Sequence, residues 1–173
     1  SMSALVASSC GQRIAKHGDR AVSSKSGAAD FFENLGINIM AKPEQTAKLI
    51  EKTNFGFLMA QVYHSAMRFA APLRKVLGVK TIMNILGPLL NPACAEYEVL
   101  GVYSPALLKD YAKAAKALGA KRVMVVCSRD GYDEISPLVP TDVYQIDENG
   151  NENQYVIKRE NGGITGCNDD EVM

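Results

Sequence analysis

The sequence predicts an α/β fold: a mainly parallel central sheet flanked by helices, with a β-hairpin near the carboxyl end. Three observations carry that reading. Short β-branched runs alternate with longer stretches of helical period. Residues 98–127 contain a complete strand–helix–strand unit, and Asn149-Gly150 lies between two short apolar runs, a signal for antiparallel pairing.

Local signals set the order of elements. Residues 3–10 read as a short helix ending at Gly11, and 13–16 as a strand feeding a polar loop through Ser26. Residues 27–35 are expected to be helical, with Gly36 as the stop. A further helix starts at Pro43, whose missing N–H costs nothing in a first turn, and runs to about Thr53. Residues 55–59 follow as a buried strand, and 63–77 as a helical stretch kinked at Pro72.

The next unit is the clearest. Residues 98–103 form a strand, Ser104 is the N-cap and Pro105 the first helical residue, with Leu107, Tyr111, Ala114, Ala115 and Leu118 as the apolar stripe. Gly119 closes that helix, 122–127 is a continuous apolar strand, and Asp130-Gly131 marks a turn at its carboxyl end. Residues 143–146 and 155–157 form the antiparallel pair, and the Gly- and Asp-rich tail from Asn161 reads as loose.

A chain of 173 residues can build one ordinary domain, expected here as a folded core over 3–160 behind a tag remnant at Ser1-Met2. Lys plus Arg and Asp plus Glu cancel at 19 each, so no global field attracts a nucleic acid, and any anion site must be built locally. Cys10, Cys94, Cys127 and Cys167 form no C-x-x-C pair, which argues against zinc and against a disulfide scaffold. That cysteine pattern leads to the expectation of a reducing, cytoplasmic setting. No stretch has the length of a membrane span.

Four segments have chemistry in their residue types. The run Lys16-His17-Gly18-Asp19-Arg20-Ala21-Val22-Ser23-Ser24-Lys25-Ser26-Gly27 places cations and hydroxyls between a strand and a helix start. Such a loop suits a phosphate, since first-turn N–H groups are unpaired and Lys or Arg neutralises the anion. It equally suits a helix cap with solvated cations. Asp130-Gly131-Tyr132-Asp133-Glu134 follows a buried strand, where open α/β sheets bind ligands. Two carboxylates there suffice for Mg²⁺ on a phosphate, or make a solvated acidic turn. The region from Tyr63-His64-Ser65 through Arg74-Lys75 offers an arginine for a substrate carboxylate, or surface charge on a helix. Asn84-Ile85-Leu86-Gly87-Pro88-Leu89-Leu90-Asn91-Pro92 either walls a flat ligand or joins two elements.

In order and spacing, these blocks resemble the anthranilate phosphoribosyltransferase family, over residues from about Ser3 to about Ile157. The resemblance implies a nucleoside-phosphorylase-like fold, in which a small helical domain precedes a larger α/β domain and this chain is the central part of the latter. It implies transfer of phosphoribose from phosphoribosyl pyrophosphate to anthranilate, releasing pyrophosphate, an early step of tryptophan synthesis. Carried over residue by residue, Lys16, His17, Gly18, Asp19, Arg20, Ser23, Ser24 and Ala28 would bind phosphoribosyl pyrophosphate. Asp19, His64 and Arg74 would bind anthranilate, and Asp133 and Glu134 would hold Mg²⁺, with Asp130 a turn former. No general acid or base is identified.

Two positions depart from the family's pattern: Asp19 stands where asparagine is usual, near anthranilate, and Ser65 where proline is usual. An acid beside an anionic substrate repels it. The family's Gly-Thr-Gly-Gly-Asp loop, its helical domain and its final stretch lie outside these residues, so this stretch by itself is expected to show no turnover, and dimerisation is expected through the helical domain. The rival readings are a pyrimidine nucleoside phosphorylase of the same superfamily and a non-catalytic protein that binds a phosphate ligand.

Overall fold

The computed structural model describes residues 1–20, 27–65 and 82–162, with only the backbone at 82–84. The chain divides into two compact units, Ser1–Ala93 and Cys94–Met173.

In the first unit, helix α1 (Met2–Ser9) precedes strand β1 (Ile14–Gly18), then α2 (Ala28–Asn34), α3 (Pro43–Thr53), β2 (Phe55–Met59), a short α4 (Ala60–Tyr63) and α5 (Ile82–Leu89). β1 and β2 pair in parallel, from Ile14 opposite Phe55 to Gly18 opposite Met59. The helical crossover that parallel pairing requires is present as α2 and α3. α3 begins at Pro43 as expected and ends where Asn54 turns left-handed at φ 60°, its N–H still reaching Ile50 O at 2.9 Å.

Every residue of β2 is buried, and its two phenylalanines meet Phe32 of α2 with ring centroids 5.1 Å apart in each case. Phe32 is wholly buried, and Ala29, Ile39, Phe55, Phe57 and Met59 complete this core. α2 is thus held to the sheet by its apolar face, which fixes where its first turn lies.

The second unit is a four-stranded sheet in the order β3 (Tyr97–Gly101), β4 (Arg122–Ser128), β5 (Thr141–Ile146), β6 (Glu152–Ile157). β3 and β4 are parallel, β5 pairs antiparallel with β4, and β6 pairs antiparallel with β5 as the Asn149-Gly150 signal predicts. Helix α6 (Leu108–Ala117) packs against β4 and β5. The Asp147 carboxylate organises the β5–β6 loop by accepting the N–H groups of Asn149 and Asn151 at 2.9 and 2.8 Å.

Three expectations need correction. Pro105–Leu107 winds as a 3-10 turn, so the phase of α6 starts at Leu108. The buried stripe is therefore Leu108, Tyr111, Ala112 and Ala115, while Leu118 is 66% exposed. Tyr63 ends a helix instead of opening one, and His64 is no longer helical at φ −116°, ψ 75°; the kink at Pro72 lies outside the described residues. The run from Asn84 is helical up to Leu89, with Pro88 in the last turn, where its missing N–H removes one bond and the helix stops a residue later. No helix among the described residues is long and apolar enough to cross a membrane.

Truncating Phe32 to alanine removes the ring between Phe55 and Phe57. Phe32→Ala is expected to lower unfolding free energy by about 3–5 kcal/mol, read from urea denaturation.

Candidate functional site

Lys16, His17 and Gly18 are the last residues of β1, so the candidate loop leaves from the carboxyl end of a parallel strand. A side chain at Gly18 would press on the Phe57 ring at 3.3 Å and the Ala28 Cβ at 3.4 Å, which shows how closely the strand end approaches the start of α2. Two amides at that start serve the chain itself. The N–H of Gly27 donates to Asp30 Oδ2 at 2.8 Å, and that of Ala29 to the Asp19 carbonyl at 3.3 Å. Ala28 lies between them as the first helical residue.

Arg20 points along α2. Its guanidinium meets both Glu33 oxygens, at 2.7 and 2.9 Å, and Asp30 Oδ1 at 3.2 Å. Asp19 Oδ1 accepts the Arg20 N–H at 2.8 Å and the Gln61 side-chain amide at 3.3 Å. Ser23 and Ser24 lie outside the described residues, as does Arg74.

The stretch after β2 runs beside this strand end. The His17 and His64 rings meet edge to face with centroids 5.2 Å apart. His64 Nε2 lies 2.9 Å from the Leu90 carbonyl, which accepts its proton, and Asn91 Nδ2 donates to Ala15 O at 3.1 Å, tying the segment after α5 to β1. Burial first, then the charges of His64 and Lys16, bring the His17 pKa down from 6.5 to about 4, with Asp19 and the Gly87 backbone acting against them. His17 is neutral at physiological pH, and its buried Nε2 has no hydrogen-bond partner among the described residues.

In the other unit, Asp130 organises the acidic turn. Its carboxylate takes hydrogen bonds from the Ser128 hydroxyl, from Ser136 Oγ at 3.0 Å and from the Tyr132 N–H at 3.4 Å. The Ser128 bond, followed by those of Ser136 and the backbone, holds the Asp130 carboxyl below its ordinary range. This supports the expected role of Asp130 as a turn former. Asp133 and Glu134 are exposed beyond it. The Asp133 carbonyl lies against Gly101 so closely that a Cβ built there would sit 1.7 Å from its oxygen.

Among the described residues no three His, Cys, Asp or Glu side chains cluster as a metal cage. Mg²⁺ needs only one or two carboxylates plus water and ligand oxygens, so exposed Asp133 and Glu134 have the right donor chemistry. A cavity lined by Pro105, Leu108, Lys109, Tyr144, Glu152, Asn153 and Gln154 includes none of the expected site residues, and its Lys109 faces Glu152 at 3.9 Å.

Sequence reasoning overlooked Gln61, Ser128, Ser136 and Gly101, and it named Asn91 without its contact to β1. Gln61 and Asn91 act across 42 and 76 residues, so no local pattern marks them. Asp30 did carry a signal, an acid three residues after an N-cap.

A profile of the family described as "Glycosyl transferase family, a/b domain" matches residues 1–173. The chain is 49% identical over 169 residues to the anthranilate phosphoribosyltransferase of Lachnoclostridium phytofermentans, covering 98% of this chain and 50% of that protein. For the enzyme of that name from Bacillus subtilis strain 168 the identity is 47% over 163 residues, covering 94% and 48%. Two similar solved structures are anthranilate phosphoribosyltransferases. The one from Thermus thermophilus has a TM-score of 0.83 and 42% identity, covering 96% of this chain and 49% of that one. The one from Saccharomyces cerevisiae, in complex with PRPP and Mg, has 0.78 and 37%, covering 88% and 42%. Another yeast structure of the same name, with a TM-score of 0.76, is in complex with 4-fluoroanthranilate. The chain spans about half the length of the curated relatives it matches.

Two outcomes follow from this geometry. Gly101→Ala forces the Asp133 backbone away and is expected to cost about 1–3 kcal/mol in thermal or urea unfolding. Because the His17 pKa is lowered in the fold, the unfolded chain takes up that proton first as pH drops. His17 therefore contributes stability that is present above pH 6.5 and lost on the way down to about 4. Urea midpoints across that window should fall more steeply for the wild type than for His17→Gln.

Proposed function

Because the chain belongs to this glycosyl transferase family, we propose that the protein it forms part of moves phosphoribose from phosphoribosyl pyrophosphate to the amine of anthranilate. The products are N-(5-phosphoribosyl)anthranilate and pyrophosphate, in tryptophan biosynthesis. One observation carries the reading. The end of β1 delivers Lys16, His17 and Gly18 to the start of α2, in a chain that spans about half the length of relatives bearing that enzyme's name. The ligands named for the yeast relatives support it.

In the reaction the amine nitrogen bonds to C1 of the ribose, the bond from C1 to the pyrophosphate oxygen breaks, and the amine gives up a proton. The ribose becomes cation-like while charge grows on the leaving group, so fixed charges and positioning contribute more than a strong base. Lys16 supplies a positive charge for the phosphates, and Gly18 allows the strand end and Ala28 to approach them together. Ser23 and Ser24 add hydroxyl donors. Mg²⁺ held by Asp133 and Glu134 would neutralise the charge developing on the departing pyrophosphate.

On the anthranilate side, Arg74 is assigned to the carboxylate and His64 to the wall beside it. Asp19 is held by the Gln61 amide and the Arg20 N–H. An uncompensated carboxylate there opposes an anionic substrate, and these donors reduce that repulsion.

Loss of anthranilate fluorescence on mixing the complete protein with phosphoribosyl pyrophosphate and Mg²⁺ tests the proposal. Asp133→Ala should lower the rate on the order of 10²-fold. Binding of phosphoribosyl pyrophosphate without turnover would instead favour a non-catalytic ligand-binding protein. Phosphorolysis of thymidine would favour a nucleoside phosphorylase.

A further inference from the structure

We infer that Gly101 and Thr141 are positioning residues for a divalent cation: from the ends of two strands they seat the main chain that carries Asp133 and Glu134, and so set the affinity of that pair for Mg²⁺. Neither touches the ion. The inference rests on the reading above in which Asp133 and Glu134 hold Mg²⁺, and it deepens that reading.

The sheet brings the two residues to one end. β3 and β4 run parallel, Gly101 closes β3, and β5 returns antiparallel from Thr141, which pairs with Ser128 at the end of β4. Residues 129–140 leave and re-enter the sheet there, and they are fixed on both sides of the acidic pair. Before it, the Tyr132 carbonyl accepts the Ser128 N–H at 3.0 Å. After it, the Ser136 N–H donates to Thr141 Oγ1 at 3.1 Å, a bond between two buried residues. The Asp130 carboxylate joins the two sides by taking the hydroxyl protons of Ser128 and, at 3.0 Å, of Ser136. At the pair itself the contact is steric. A Cβ at Gly101 would sit 1.7 Å from the Asp133 carbonyl oxygen and 2.7 Å from its carbonyl carbon, and main chain cannot swing aside as the tip of a side chain can.

Asp133 and Glu134 are exposed neighbours of like charge. Their carboxylates repel each other and lose side-chain freedom when they close on an ion. A main chain already fixed beneath them removes the backbone part of that cost before the ion arrives. The identity of the ion matters here. Mg²⁺ demands near-octahedral geometry at about 2.0–2.1 Å, whereas Ca²⁺ accepts irregular ligand sets at about 2.3–2.6 Å. Loosening the seat therefore weakens Mg²⁺ more than Ca²⁺, a signature that a general loss of stability does not produce.

The test uses the complete protein as wild type, Thr141→Val, Thr141→Ser, Gly101→Ala, Asp133→Ala and Ala112→Gly. Bound Mn²⁺, followed by the EPR signal of the free ion, is displaced with Mg²⁺ or with Ca²⁺, and the Mg²⁺ concentration for half-maximal rate is read beside it. Thr141→Val replaces the hydroxyl with a methyl of similar size and should weaken Mg²⁺ about tenfold, with a far smaller effect on Ca²⁺. Thr141→Ser keeps the hydroxyl and should stay near wild type. Gly101→Ala should match Thr141→Val; if it does not fold, the two Thr141 variants decide. Ala112→Gly loosens the buried face of α6, away from the turn, and should leave both affinities unchanged. Unchanged Mg²⁺ affinity in Thr141→Val or in folded Gly101→Ala overturns the inference. So does an equal loss in Ala112→Gly, or Mn²⁺ binding that survives Asp133→Ala. If the wild type shows no turnover, the functional reading has failed, and the metal affinities alone decide the role of Gly101 and Thr141.

Discussion

Two strands that run parallel finish on the same side of their sheet, and in the unit Ser1–Ala93 almost everything around the candidate site follows from that geometry. Gly18 stands opposite Met59 in the register. What comes after β1, Asp19 and Arg20, is therefore placed beside what comes after β2, Gln61 and His64. The contacts of Gln61 with Asp19 and of the His17 ring with His64 express this register in side chains. Phe32 secures the arrangement from behind, because a helix anchored by a wholly buried aromatic residue presents its first turn at a fixed place.

Much of this architecture was legible in the sequence, and the reasons differ by element. Proline at a helix start and an apolar run bounded by turn residues located the start of α3 and both ends of β2. The antiparallel β5–β6 pair followed from the Asn149-Gly150 turn signal, whereas the antiparallel pairing of β4 with β5 spans residues 129–140 and had no local signal. The stripe on α6 was misread because a 3-10 turn advances the chain by a different angle per residue, and residue type does not reveal that. In the site, residue types identified the loop and the acidic turn. They could not show which cations and amides were already engaged. Arg20 looks like an available charge in sequence, and only the fold brings Glu33 and Asp30 to it.

A division of labour among acidic residues recurs in both units. Asp30 and Asp130 each gather donors from their own turn, and the Asp130 carboxyl titrates lower as a result. Such carboxylates shape the backbone and have little capacity left for a ligand. Asp133 and Glu134 lie beyond that network, exposed on a turn that Asp130 has already fixed. Neighbouring residues of one chemical type thus have separate duties, one structural and one open to solution.

The contact between Gly101 and the Asp133 carbonyl separates those duties further. It is made by main chain on one side and by the lack of a side chain on the other, so it is blind to the residue type at position 133. Over evolutionary time, position 133 can exchange its side chain, and with it any affinity for a cation, while the turn keeps its shape. Position 101 has no such liberty. Substitution at 133 is therefore expected to leave the shape of the turn intact, while any side chain at 101 would disturb it.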